Sequence, residues 1–271
     1  MEKSILKRNN VRVFGEGKQS MVFAHGFGCD QNMWRFITPA FEKRYKIVLF
    51  DYVGSGKSDL SAYNEERYNT LHGYAQDILD VCDALNLRDI ILVGHSVSSM
   101  IGILAAIQQS EIFSNLILVG PSPRYVNELP DYFGGFEKKD LEGLLQTMDN
   151  NYIGWASFLA PVIMKNEDKP ELTKELEESF CSTDPIIARK FAEVTFFSDN
   201  RKDLSLLKVP SLILQCSEDA IAPDQVGEYL AKNLPRSEFR KMKAIGHCPH
   251  MSHPKETIEL INEYITAAVL N

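Results

Sequence analysis

The sequence lacks the cysteine spacing that marks disulfide-rich or zinc-binding domains. Its cysteines are odd in number and scattered, with no Cys-x-x-Cys pair: Cys29, Cys82, Cys181, Cys216 and Cys248. A disulfide framework needs an even set of cysteines and a zinc knuckle needs closely paired ligands, so neither is expected. We predict reduced thiols, no structural metal and a cytoplasmic location.

Positive charge is also scarce. With 29 Lys and Arg against 37 Asp and Glu, the formal net charge is −8, and the basic residues form no cluster. A protein that binds nucleic acid or an anionic membrane surface needs such a cluster, so neither partner is expected.

No segment has the uniform apolarity of a membrane span or a secretory leader. The first eight residues mix charges and lack the apolar core of a signal peptide. The most apolar stretch, residues 90–107, carries Gly94, His95 and Ser96 within it. These residues indicate a strand, a sharp turn and a buried helix rather than a membrane helix.

The chain does contain an alternation of short apolar runs and amphipathic helical patterns. The apolar runs lie at residues 20–24, 46–50, 89–93, 116–119 and 211–215. Short, mostly apolar runs are typical of strands buried on both faces of a parallel sheet. The alternation predicts an α/β protein with a mostly parallel central sheet and helices on both faces.

The alternation stops between residues 123 and 197. This segment has no clear strand pattern, only helical stretches such as residues 141–148, 151–164 and 172–180, and it carries many large apolar side chains. We interpret residues 123–197 as a helical lid, inserted between two strands of a core formed by residues 1–122 and 198–271. Ligands of such sheets bind at the carboxyl ends of the strands, and a lid at that edge would cover the site.

Gly94-His95-Ser96-Val97-Ser98 lies where an apolar strand meets an apolar helix. A nucleophile elbow has this context, because a tight strand-to-helix turn exposes a serine hydroxyl and small flanking residues let the chains pass closely. The consensus is Gly-x-Ser-x-Gly, and here Ser98 replaces the last glycine with another small residue. The segment predicts Ser96 as the nucleophile of a hydrolase.

A serine nucleophile needs a base and a carboxylate that orients the base. In hydrolases with such an elbow, the carboxylate and then the histidine follow the serine along the chain. Asp219 follows the last apolar run, in a turn closed by Pro223, and is the preferred acid. Glu218 and Asp224 are the alternatives.

His247, downstream of these acids, is the predicted base. Because His247, His250 and His253 recur at every third position, a zinc site is the competing interpretation. Two prolines, Pro249 and Pro254, argue against the continuous helix that would align the three rings. We predict neither a metal nor a cofactor, and structural roles for His250 and His253.

The tetrahedral intermediate of acyl transfer needs two hydrogen-bond donors. One is expected to be the backbone N–H of Val97, directly after the nucleophile. The second should come from the loop after an early strand. His25-Gly26-Phe27-Gly28 fits that loop, so we predict the N–H of Phe27 as the second oxyanion donor.

With these residues placed, the chain resembles the RsbQ family of bacterial stress-response regulators and its plant relatives, the karrikin and strigolactone receptors. The motifs that carry the resemblance include His25-Gly26-Phe27-Gly28-Cys29-Asp30, Asp51-Tyr52-Val53-Gly54-Ser55-Gly56, Gly94-His95-Ser96-Val97-Ser98 and Gly246-His247-Cys248-Pro249-His250. Ser98 matches the plant receptors, whereas the bacterial regulator typically has glycine there. The resemblance covers nearly the whole chain and implies the α/β-hydrolase fold with a four-helix lid.

The resemblance also implies a pocket and a function. Apolar side chains would line the pocket under the lid: Phe27, Phe136, Trp155, Leu159 and Phe196. The implied substrate is a small apolar ester or lactone. The implied partner is a protein phosphatase with a PAS sensor domain, which activates the general stress sigma factor. A metabolic carboxylesterase and a ligand-binding receptor with little turnover are alternatives that share the same residues.

Overall fold

The computed structural model describes residues 2–270, with side chains from residue 4 to residue 267. The strands form one sheet and are β1 (Arg12–Phe14), β2 (Ser20–Ala24), β3 (Lys46–Leu49), β4 (Ile90–His95), β5 (Phe113–Val119), β6 (Ser211–Ser217) and β7 (Ser237–Ile245). Their order across the sheet is β1-β3-β2-β4-β5-β6-β7. Only β1 pairs antiparallel with its neighbour. The predicted mostly parallel sheet is confirmed.

The five predicted strands are β2 to β6, and the sequence analysis missed the two edge strands. Both edge strands are largely exposed or half-buried, and β7 carries Arg240, Lys241 and Lys243 among its residues. An edge strand is paired on one side only, so it can carry polar residues that an interior strand cannot. A search for continuous apolar runs therefore misses such strands.

Helices cover both faces of the sheet, as predicted. Within the described range they are α1 (Glu2–Arg8), α2 (Leu71–Ala84), α3 (Val97–Gln108), α4 (Lys138–Asn150), α5 (Tyr152–Met164), α6 (Pro170–Ser182), α7 (Pro185–Phe196), α8 (Asp224–Asn233), α9 (Pro249–Ser252) and α10 (Pro254–Leu270). Successive side chains of a strand point to opposite faces of the sheet. Phe23 of β2 therefore belongs to the apolar cluster on the face covered by α4–α7 and α10, and Val22 belongs to the cluster on the face covered by α2, α3 and α8. None of the helices in the described range is long and apolar enough to cross a membrane.

Helices α4 to α7 form the connection between β5 and β6. The sequence pattern predicted the first three of them, whereas α7 was not recognised from its residues. Tyr152 of α5 donates a hydrogen bond from its hydroxyl to the carbonyl of Phe180 in α6, at 2.7 Å. These helices supply part of the wall of the cavity described below. The division of the chain into a core and a lid at residues 122/123 and 197/198 stays a prediction.

Candidate active site

Ser96 occupies the sharp turn between β4 and α3. Its backbone has φ 56° and ψ −124°, a region that non-glycine residues rarely adopt and that nucleophile elbows require. Its N–H donates to the carbonyl of Val119 in the neighbouring strand β5, at 2.8 Å. Gly94 permits the tight turn, because a Cβ there would lie 2.6 Å from the backbone oxygen of Ser98. The local sequence therefore folds into the predicted elbow.

His247 lies between Ser96 and Asp219. Its Nε2 is 2.8 Å from the Ser96 hydroxyl oxygen, and its Nδ1 is 2.7 Å from Oδ2 of Asp219. The three side chains, far apart in the sequence, thus form one hydrogen-bonded chain. All three residues are buried, which strengthens these hydrogen bonds by lowering the local dielectric.

Asp219 is held so that one oxygen faces the imidazole. Its other oxygen, Oδ1, accepts hydrogen bonds from the backbone N–H groups of Ile221 and Ala222, at 2.8 and 3.0 Å. The two alternative acids lie elsewhere. Glu218 is exposed and pairs with Lys165 Nζ at 2.6 Å, and Asp224 pairs with Lys241 Nζ at 2.5 Å. Of the three candidates, only Asp219 contacts His247.

The backbone of His247 is fixed from two directions. Its N–H donates to the carbonyl of Ile163 at the end of α5, at 2.8 Å. Its carbonyl lies 2.8 Å from Nε2 of His95, and since a carbonyl can only accept, His95 carries a proton on Nε2. Burial holds the pKa of His95 well below its ordinary value, so this ring is neutral. His95 and α5 therefore hold the backbone of His247 in place.

The predicted oxyanion donors, the backbone N–H groups of Phe27 and Val97, are free to donate. Among the described residues, none accepts a hydrogen bond from the N–H of Phe27 or of Val97. Val97 begins α3, where the first N–H groups have no partner within the helix. The loop at Phe27 fits closely against α6, because a Cβ on Gly28, whose φ is +68°, would lie 2.1 Å from the Phe180 ring.

A small cavity of about 30 Å³ adjoins Ser96 and His247. The predicted residues Phe27 and Phe196 line it. The other lining residues are Cys29, His95, Tyr125, Ile163, Leu176, Phe180, Thr195, Ile221 and Cys248. The lining side chains therefore leave little free space beside Ser96.

Comparison with known proteins places the chain in a family. The family described as alpha/beta hydrolase fold matches residues 19–254. The chain belongs to the α/β-hydrolase family. The predicted fold class is thereby confirmed, since the sheet order, the elbow and the family match agree.

Similar proteins include plant receptors and esterases. A karrikin insensitive 2 receptor of Petunia hybrida is 37% identical over 95% of each chain. The strigolactone esterase of Arabidopsis thaliana is 38% identical, over 95% of this chain and 96% of its own. A hydrolase of known structure from Oleispira antarctica is 45% identical with a TM-score of 0.96, over 98% of this chain and 97% of its own.

Three residues predicted to line the pocket of this α/β hydrolase lie outside the cavity wall. Trp155 is fully buried behind the wall, with its ring centroid 6.0 Å from that of Phe27 and 5.2 Å from that of Phe180. Leu159 is buried in the same cluster, and Phe136 packs against it half-buried. Their contact with substrate stays a prediction, since it requires a wider cavity.

Sequence reasoning missed several lining residues of this hydrolase, among them Tyr125. Burial raises the pKa of Tyr125 to about 12, so its hydroxyl stays protonated at neutral pH. Tyr125 follows β5, the strand beside the nucleophile strand, and that position was an available signal. Phe180 carried no local signal, because its place opposite Gly28 depends on how α6 packs.

The three regularly spaced histidines do not converge. His250 packs between Trp34 and His95, at ring-centroid distances of 4.6 and 4.5 Å, and burial lowers its pKa to about 3. His253 forms a hydrogen bond with Ser252 Oγ at 2.9 Å. Among the side chains of residues 4–267, no group of three His, Cys, Asp or Glu could hold a metal ion.

Proposed function

We propose that this chain is a serine hydrolase that cleaves a small apolar ester or lactone through Ser96, His247 and Asp219. The observation that carries the proposal is the continuous hydrogen-bonded chain from the Asp219 carboxylate through both nitrogens of His247 to the Ser96 hydroxyl. Membership of the α/β-hydrolase family supports it independently.

In the proposed mechanism, Ser96 Oγ attacks the carbonyl carbon while Nε2 of His247 takes the hydroxyl proton. Asp219 keeps the proton on Nδ1 and stabilises the imidazolium. The N–H groups of Phe27 and Val97 donate to the negative oxygen of the tetrahedral intermediate. His247 then protonates the leaving alcohol oxygen. A water attacks the acyl-enzyme with His247 again as base, which releases the acid and regenerates Ser96.

The small apolar substrate class is inferred from the wall of the cavity. Phe27, Phe180 and Phe196 surround the nucleophile, and the volume is about 30 Å³. An aromatic wall favours an apolar acyl group, and the small volume disfavours a long one. The names of relatives include a strigolactone esterase, which supports esters and lactones as the substrate class.

We further propose that turnover serves signalling, as in regulators of the RsbQ kind. Ser96 is only 6% exposed at a small cavity, and conformational steps that admit substrate or release product limit the rate of many enzymes. Relatives named as receptors support this role. The proposed partner is a PAS-domain protein phosphatase of the general stress response. The free cysteine thiols fit the proposed cytoplasmic location.

A metabolic carboxylesterase is the second candidate function, and the complete Ser96–His247–Asp219 chain favours it equally. A receptor with little turnover is the third, and the small free volume beside Ser96 favours it. The rate of deacylation separates the metabolic carboxylesterase from the other two, because a metabolic enzyme requires fast release of the acyl group.

Covalent labelling tests the nucleophile directly. We expect a fluorophosphonate to add once to the wild-type protein, with the modified peptide containing Ser96. Ser96→Ala should remain unlabelled with an unchanged melting temperature. Equal labelling of Ser96→Ala, or an adduct on another residue, would overturn the assignment.

A further inference from the structure

Ser98 replaces the last glycine of the elbow consensus, and its hydroxyl is fully engaged. The residue is completely buried in the first turn of α3. Its Oγ donates to the backbone carbonyl of His25 and lies 3.0 Å from the hydroxyl of Tyr52. Since a carbonyl can only accept, the single Ser98 proton points to His25, and Tyr52 must donate to Ser98.

The backbone of Tyr52 also bonds directly to His25. The N–H of Tyr52 donates to Nε2 of His25 at 3.2 Å, so His25 carries its proton on Nδ1 and donates it to the carbonyl of Gly26 at 2.9 Å. Burial raises the pKa of Tyr52 well above its ordinary value, so its hydroxyl remains a donor. Both the ring and the carbonyl of His25 are therefore fixed.

The position of His25 gives this network a consequence for catalysis. His25 is the first residue after β2. Phe27, two residues further along the same loop, supplies one proposed oxyanion donor. Val97, which directly precedes Ser98, supplies the other. The Ser98 hydroxyl thus connects the chain segments that carry the two donors. Oxyanion donors must be held within about 0.5 Å of their productive geometry.

We propose that Ser98 is a positioning residue that fixes the Phe27 N–H relative to the Val97 N–H, with Tyr52 orienting the Ser98 hydroxyl. The inference rests on the proposed serine hydrolase function. A glycine at this position would leave the His25 carbonyl without its partner. In this proposal, the serine that replaces the consensus glycine connects the elbow to the oxyanion loop by a hydrogen bond.

Ser99 provides a matched control. It follows Ser98 in the same helix, is equally buried, and donates from its hydroxyl to a backbone carbonyl, that of Gly94, at 2.9 Å. That carbonyl belongs to β4 and not to the oxyanion loop. Ser98→Ala and Ser99→Ala each remove one buried hydrogen bond and should lower the melting temperature to a similar extent.

The test compares these two variants with p-nitrophenyl acetate and with phenylboronic acid, whose tetrahedral adduct with serine mimics the transition state. Removal of a whole oxyanion donor costs about 100- to 1,000-fold in kcat, so misplacement of one should cost about tenfold. We expect Ser98→Ala to lower kcat about tenfold and to weaken boronate binding about tenfold. KM should stay nearly unchanged, because the oxyanion donors bind the transition state and not the ground-state substrate. Ser99→Ala should change each value by less than about twofold.

A double-mutant cycle tests the role of Tyr52. Tyr52→Phe should lower kcat about threefold, and adding it to Ser98→Ala should cause no further loss, because the two hydroxyls act through one contact. If Ser98→Ala matches Ser99→Ala in kcat and boronate affinity, or if the losses from Tyr52→Phe and Ser98→Ala multiply, the inference is wrong. Turnover retained by Ser96→Ala would instead overturn the proposed function itself.

Discussion

At the scale of single residues, catalysis depends on which carboxylate faces His247. Asp219→Asn should lower kcat about 10,000-fold, because an amide at this position stabilises the wrong imidazole tautomer. Glu218→Gln should change kcat by less than about twofold, since Glu218 is exposed and pairs with Lys165. Steady-state hydrolysis of p-nitrophenyl acetate measures both. A large loss in Glu218→Gln beside an active Asp219→Asn would contradict the assignment.

The residues of the hydrogen-bonded chain could be predicted because each lies at an element end in a fixed order. The motif around Ser96 sits at a strand-to-helix junction, and an acid and a histidine follow it in the expected sequence. The wall of the cavity was harder to predict. Tyr125 and Phe180 reach it through the packing of segments that are distant in the chain, and no local pattern reports that packing.

At the scale of elements, α6 places Phe180 in the wall of the cavity beside Ser96. Phe180→Leu should enlarge the cavity beside Ser96. We expect kcat/KM for p-nitrophenyl butyrate, divided by kcat/KM for p-nitrophenyl acetate, to rise about tenfold. The reason is that each methylene accommodated in an apolar pocket is worth about 1–3 kcal/mol. Leu172→Ala is the control, because Leu172 is buried in the same helix and is not part of the wall. Equal ratios in both variants would show that Phe180 does not limit the acyl group.

Interior elements could be predicted better than edge elements. Strands β2 to β6 are recognisable as apolar runs because they are buried on both faces. Strands β1 and β7 lie at the edges of the sheet, where fewer side chains are buried and fewer residues need to be apolar. Helix α7 begins at a proline after Asp184, whose side chain accepts from the N–H groups of Ile186 and Ile187, and this capping signal was available in the sequence.

At the scale of the whole molecule, buried histidines make stability depend on pH. The pKa of His250 is about 3 in the folded protein and near 6.5 when unfolded. Above about pH 6.5 the site is neutral in both states. Below it the unfolded chain binds a proton that the folded protein excludes, so the free energy of unfolding falls toward pH 3, with a slope approaching about 1.4 kcal/mol per pH unit.

His250→Phe should reduce that slope by up to about 1.4 kcal/mol per pH unit between roughly pH 6 and 4, because phenylalanine binds no proton in the unfolded chain. Urea unfolding at several pH values measures it. His72→Gln is the control and should keep the wild-type slope, since it replaces an exposed histidine and leaves His250 in place. Parallel curves for His250→Phe and the wild type would show that His250 does not exclude the proton.

The most direct test of the central claim is the time course of nitrophenol release from p-nitrophenyl acetate by wild type and Ser96→Ala. We expect a wild-type burst of about one equivalent followed by slow turnover, since a lingering acyl-enzyme forms on Ser96, and no enzymatic release from Ser96→Ala. A fast, sustained rate that depends on Ser96 would favour the metabolic carboxylesterase instead. An equal rate from Ser96→Ala and wild type would contradict the claim that Ser96 is the nucleophile.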